Sequence, residues 1–245
     1  MKSAREQIKI DNSLMNLYIS HPDGAGPFPA VVLIQHQGGV DKFMEEMTEK
    51  IAAAGYFGIT PDLYHRDTPD CQDDGPTRRS RLRDVTVIKD VNATVDFLNA
   101  HKLVDAARLG IVGFCMGGRV SYLMTAADPS FGAAVVYYGG NIAKAWGDGP
   151  SPLDRTAEIH CPIQSHSGEE DKNPSPEDMR KIDVELTKHG KVREIYSYAG
   201  TGHGFMDRHG KNYRAHADQA SWPRTLDFFR RYLIEVAPKK AAASR

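Results

Sequence analysis

The chain has 245 residues, 40% of them hydrophobic and 26% charged, the make-up of a core-forming globular protein within the range of one large α/β domain. Lys and Arg (31) nearly balance Asp and Glu (32), leaving a net charge of -1, so a nucleic-acid surface, which needs surplus cations to displace counterions, is not expected. With no apolar run near the ~20 residues of a bilayer span, no legible export signal and only 3 cysteines, the expectation is a reduced, cytoplasmic enzyme without a membrane partner.

The opening residues, up to Ser20, alternate in short stretches such as Ile8/Ile10 and Leu17/Ile19, which suits an antiparallel hairpin at a sheet edge. The continuous apolar run Ala30–Gln35 reads as a strand covered on both faces. Asp41 is placed to cap a helix reaching about Ala54, with Phe43, Met47, Ile51 and Ala54 on one face and Gly55 ending it. A strand follows in YFGITPDLY, then a polar surface loop from Asp67 to Thr77. The next helix carries Val85, Ile88, Val91, Val95 and Leu98 at helical spacing. Arg108–Phe114 is a buried strand running straight into a helix at CMGGRVSYLMTAA, and Ala133–Tyr138 is another strand. After the loop Gly139–Glu158 come a strand in IHCPIQSHSG, a helix over Ser175–His189, a last strand in VREIYSYA and a helix from about Gln219 to Val236. The tail, 237–245, is expected to be mobile. Strands alternating with helices predict a mostly parallel sheet wrapped on both sides, in one domain spanning 1–245.

Reactive groups in such a sheet collect in loops beyond the carboxyl ends of the strands. Gly113-Phe114-Cys115-Met116-Gly117-Gly118 joins a strand to a helix and has the form of a nucleophile elbow, G-x-S-x-G, with cysteine for serine. A helix N-terminus also favours the thiolate of Cys115. The same residues are compatible with a small buried cysteine beside packing glycines, or with a phosphate-cradling turn. The acidic loop Ser167-Gly168-Glu169-Glu170-Asp171 offers an acid to orient an imidazole, without saying which. Gly202-His203-Gly204 frees a histidine to act as general base. The order nucleophile, acid, histidine is that of the α/β-hydrolase triad. The loop Gln35-His36-Gln37-Gly38-Gly39 sits where that architecture takes one oxyanion-hole amide, so the backbone N–H groups of Gln37 and Met116 are assigned to it.

These residues resemble the dienelactone hydrolase family, the carboxymethylenebutenolidases. The resemblance runs through Gly39-Val40, Phe43-Met44, Pro61-Asp62-Leu63-Tyr64, the cysteine elbow, Gly168-x-x-Asp171 and Gly202-His203-Gly204-Phe205. It implies an α/β-hydrolase fold and a triad of Cys115, Asp171 and His203. Two positions depart from the family. His36 stands where its lactonases carry a glutamate that contacts the thiol. Asp207, with Arg208 beside it, stands where they carry an arginine for the substrate carboxylate. The cluster Arg78, Arg79, Arg81, Arg83 lies in the region that supplies the family's other such arginine. His36, Tyr64 and Arg81 are the residues expected to meet the substrate.

The expected reaction is hydrolysis of a lactone or small carboxylic ester through a thiol ester on Cys115, by a monomer or weak homodimer. A broad thiol-dependent carboxylesterase is the nearest alternative. A cysteine redox protein, with Cys71 or Cys161 as resolving partner, and a non-catalytic binding module lie further off. No cofactor is expected, because no G-x-G-x-x-G or P-loop occurs, and no metal, because the histidines show no HExxH or paired-cysteine spacing.

Overall fold

A computed structural model describes residues 1–68 and 70–236; the expectation for the tail lies outside them. β1 (Lys2–Ile10) and β2 (Ser13–His21) form the antiparallel hairpin at the sheet edge, Lys2 opposite His21 and Ile10 opposite Ser13. β2 pairs antiparallel with β4 (Phe57–Pro61), and the rest of the sheet is parallel: β3 (Phe28–Ile34), β5 (Val104–Phe114), β6 (Phe131–Tyr137), β7 (Ile163–Gly168) and β8 (Arg193–Tyr198). The spatial order is β1-β2-β4-β3-β5-β6-β7-β8. With this sheet and its helices the chain has the α/β-hydrolase fold.

β3, β6 and the second half of β5 are apolar because both faces are covered, and the period of two sends alternate residues to two cores. Val31, Leu33, Val112 and Phe114 face α1 (Lys42–Ala53) and α6 (Ala215–Phe229), where Phe43, Met47, Phe228 and Phe229 meet them. Val32, Ile34 and Ile111 face α3 (Asp84–Ala100), α4 (Met116–Ala127) and α5 (Pro176–Lys188), meeting Val87, Val91, Val120 and Ile182. Asp41 caps α1, its carboxylate accepting from the Met44 N–H at 3.2 Å, and Gly55 ends the turn with φ +98°. Ser175 and Asp178 form a reciprocal capping box at the start of α5.

Five expectations about elements are corrected. Ala54 is exposed at the end of α1, outside its inward face, and the loop after Gly139 closes in a 3-10 turn over Leu153–Glu158. The polar loop after Asp67 gives way to a short helix, α2 (Gly75–Ser80), capped by Asp74. Val85 is 76% exposed; the inward stripe of α3 starts at Val87, two positions and about 200° further round the helix. The last helix starts at Ala215, ahead of Gln219, and ends in a π-helical turn over Arg230–Glu235. No helix among the described residues is long and apolar enough to cross a membrane.

Candidate active site

The end of β5 and the start of α4 make a bend with Cys115 at its apex, in a left-handed conformation (φ 58°, ψ -119°). A non-glycine residue held there costs about 1–3 kcal/mol, supplied by the surrounding packing. The two glycines around it have no alternative. A Cβ on Gly113 would lie 2.0 Å from the Gly117 carbonyl oxygen, and one on Gly117 would lie 2.2 Å from that of Ile34. The Cys115 N–H still reaches the Tyr137 carbonyl at 3.0 Å, so the bend is stitched to β6 as it leaves the sheet.

Asp171, just beyond β7, is buried and accepts from His203 Nδ1 at 2.8 Å, while its other oxygen takes the Asn173 N–H at 2.9 Å. Its neighbours Glu169 and Glu170 are exposed, which settles the geometric ambiguity of the acidic loop. His203 rests edge-on against buried Tyr138, ring centroids 5.0 Å apart. Its remaining nitrogen faces the Cys115 thiol. Burial pulls the His203 imidazole down, but the bonds to Asp171 and Cys115 outweigh it and raise it to about 10. Burial pushes the Cys115 thiol up, but the bond to His203 and the N–H groups of Met116 and Gln37 bring it below the ordinary value. The arrangement stabilises a thiolate–imidazolium pair.

The two amides assigned to the oxyanion hole thus converge on the sulfur. Tyr64, expected against the substrate, instead sits beneath this loop: it is buried, and its hydroxyl donates to the Gln37 carbonyl at 3.2 Å and touches Met116 Sδ at 3.3 Å. Holding the carbonyl side of Gln37 aims its N–H at the cleft. His36 Nε2 bonds Asp41 Oδ2 at 2.8 Å, and its ring meets Phe43 edge-on at 5.5 Å. Burial lowers the His36 imidazole, yet Asp41 outweighs it, with the Cys115 and Asp207 charges in support, so it stands above its usual value.

The cleft has two lobes meeting at Cys115 and His203. One, about 280 Å³, is bounded by Arg79, Asn141, Trp146 and Asn173; the other, about 190 Å³, by His36, Phe43, Asp207 and Lys211. Arg81 borders neither. Its guanidinium pairs with Asp67 at 3.0 Å and Asp73 at 2.6 Å, so the expectation for it is corrected: Arg79 is the arginine of the cluster that reaches the cleft. Arg79 has no ion pair among the described residues, whereas Arg78 bonds Asp67 and lies over the Tyr64 ring. Arg208, beside Asp207, is held by Asp218. Trp146, Asn141 and Asn173 carried no motif that would have marked them. All three cysteines are free, and burial pushes the Cys161 thiol up to about 12, a poor resolving partner.

The model of the Dienelactone hydrolase family matches residues 15–233. A candidate carboxymethylenebutenolidase of Methylorubrum extorquens is 29% identical over 232 residues, covering 92% of this chain and 80% of that protein. A Bradyrhizobium protein, a candidate 2-oxo-3-(5-oxofuran-2-ylidene)propanoate lactonase, is 31% identical over 221 residues, 88% of this chain and 89% of its own. Among solved structures, a candidate dienelactone hydrolase from Klebsiella pneumoniae superposes with a TM-score of 0.87 at 27% identity, covering 94% of this chain and 99% of that one.

Proposed function

Since this chain belongs to the dienelactone hydrolase family, and is a hydrolase of that family's lactone-cleaving kind, we propose that it works through Cys115, His203 and Asp171 by way of a thiol ester. The observation that carries the reading is the 2.8 Å bond from Asp171 to His203 together with the two amides turned on the Cys115 sulfur. The thiolate attacks the carbonyl carbon, forming the S–C bond, and the oxyanion sits between the Gln37 and Met116 amides, donors worth roughly 3 kcal/mol each in such sites. The C–O bond then breaks, and the leaving oxygen takes the proton held on His203. Water, deprotonated by neutral His203, hydrolyses the thiol ester, and that proton remains on the imidazole as the thiolate departs. Asp171 fixes the tautomer that makes both transfers possible.

Arg79, an unpaired cation facing the first lobe, is positioned to hold a carboxylate on the substrate. A second reading, a thiol esterase for neutral esters, draws on Asp207, an acid in the second lobe. Turnover of p-nitrophenyl acetate and of a carboxylate-bearing enol lactone tests both. Cys115→Ala is expected to lose at least about 10³-fold in kcat/KM on either substrate, because the triad acts as a unit. Ordinary turnover by Cys115→Ala would falsify the nucleophile. A preference for the neutral ester turns the substrate class to the second reading.

A further inference from the structure

Beyond Asn141 and Asn173 the first lobe adjoins another cavity, of about 160 Å³, which shares those two residues as lining. Ile142, Leu153, Pro174 and Ile182 give it an aliphatic side, and Lys144, Asp178 and Lys181 line the rest beyond the two asparagines. One wall is held with unusual rigidity. Arg119 on α4 is fully buried, makes two bonds to Asp84 at 2.6 and 2.9 Å, and donates to the carbonyls of Asn141 (3.2 Å) and Lys144 (2.5 Å). Its guanidinium lies 3.9 Å from the centre of the Trp146 ring, and Asp84 accepts the backbone N–H of Trp146 at 2.9 Å. A buried ion pair contributes little net stability, so its effect here is positional: it fixes the strip from Asn141 to Trp146 that bounds lobe and cavity alike. On the other side Asn173 accepts the Asn141 N–H at 3.0 Å, tying the cavity's rim to the loop of Asp171.

We infer that this cavity is an acyl-chain subsite, taking an unbranched aliphatic arm that extends from the carbonyl above Cys115 across Asn141 and Asn173. The inference rests on the thiol-ester reading. With an open-chain ester the leaving group departs with a proton from part-exposed His203, whereas the acyl group, which for an opened lactone carries the freed hydroxyl with it, stays bonded to Cys115 until water arrives. The aliphatic side of the recess suits the portion that stays. The first lobe alone falls just short of the ~300–1,000 Å³ typical of small-molecule sites; lobe and cavity together fall within it.

The test is a series of p-nitrophenyl esters from acetate through butanoate to hexanoate, run on the whole protein and on Leu153→Trp and Ile182→Trp, each of which fills the recess. Each added methylene is expected to raise wild-type kcat/KM about fourfold, the value of burying one such group. Either variant should flatten the series while keeping the wild-type rate on acetate, which also reports that it folds. Alkyl acetates of increasing alcohol length should show no such rise. A flat wild-type acyl series, a series equally steep in a variant that keeps acetate turnover, or a rise confined to the alcohol side overturns the subsite. Failure of the underlying reading is separate: Cys115→Ala would then retain turnover of acetate itself.

Discussion

His36 brings an imidazole to a place where the family's lactonases, which this chain resembles, have a carboxylate, and the sign of the charge beside the nucleophile changes with it. A glutamate there repels a thiolate; an imidazole held above its usual pKa by Asp41 supports one. His36 and His203 both border the cleft at Cys115, and each imidazole is held above its usual value. The sign of the pH dependence follows. The thiol is lowered and His203 is raised to about 10, so the thiolate–imidazolium pair persists between those limits and is lost as pH falls through the depressed thiol pKa. Alkylation of Cys115 by iodoacetamide, without substrate, is expected to have its midpoint below the ~8.5 of a free cysteine and to slow on acidification. A rate that climbs only through ~8.5, as for a free cysteine, contradicts the pair. His36→Gln should move the alkylation midpoint upward by about one pH unit; an unmoved midpoint reduces His36 to a wall of the cleft.

Among the elements, those that the sequence reveals best are set by local rules. β3 and the stretch of β5 from Leu109 to Phe114 are continuous apolar runs, α1 carries its cap at Asp41, and the elbow needs glycine at 113 and 117 because backbone atoms nearly touch there. What the sequence leaves open depends on helical phase and on distant partners. Arg78 and Arg81, three apart, share one side of α2 and its exit and both turn to Asp67, which leaves Arg79 for the cleft. No spacing reveals that orientation, because the polar stretch before α2 hides the helix itself. Tyr64 shows the same limit: its motif marks it as important, but only the fold places its hydroxyl under Gln37. Two outcomes follow from these placements. Tyr64→Phe should lower kcat about threefold to tenfold with KM little changed, the loss of one neutral hydrogen bond that holds an oxyanion donor; an unchanged kcat removes Tyr64 from the positioning of the loop. Arg79→Met should raise KM about 10- to 100-fold for a carboxylate-bearing lactone and leave a neutral ester unaffected. Equal effects on both substrates would mean that Arg79 shapes the cleft without reading charge.

Across the whole molecule, the site gathers residues far apart in the chain because parallel strands deliver their exit loops to one edge of the sheet. β3 brings His36 and Gln37, β4 brings Tyr64, β5 brings Cys115, β7 brings Asp171 and β8 brings His203. That order explains why the sequence exposes the proposed triad so directly: Cys115 follows the apolar end of β5, and Asp171 and His203 lie in glycine-containing loops just past β7 and β8. It also explains why the substrate's surroundings stay hidden, since Trp146 and Asn141 lie in an irregular loop held by the Arg119–Asp84 pair, residues 35 apart, and Asn173 in another held by Asp171. The account stands on covalent chemistry at one sulfur, and the most direct measurement is mass spectrometry of the acid-quenched enzyme during steady-state turnover of an activated ester. The peptide containing Cys115 is predicted to gain the mass of one acyl group, and the adduct to vanish with hydroxylamine. Turnover that proceeds with the Cys115 peptide unmodified and the acyl group on another side chain would contradict it.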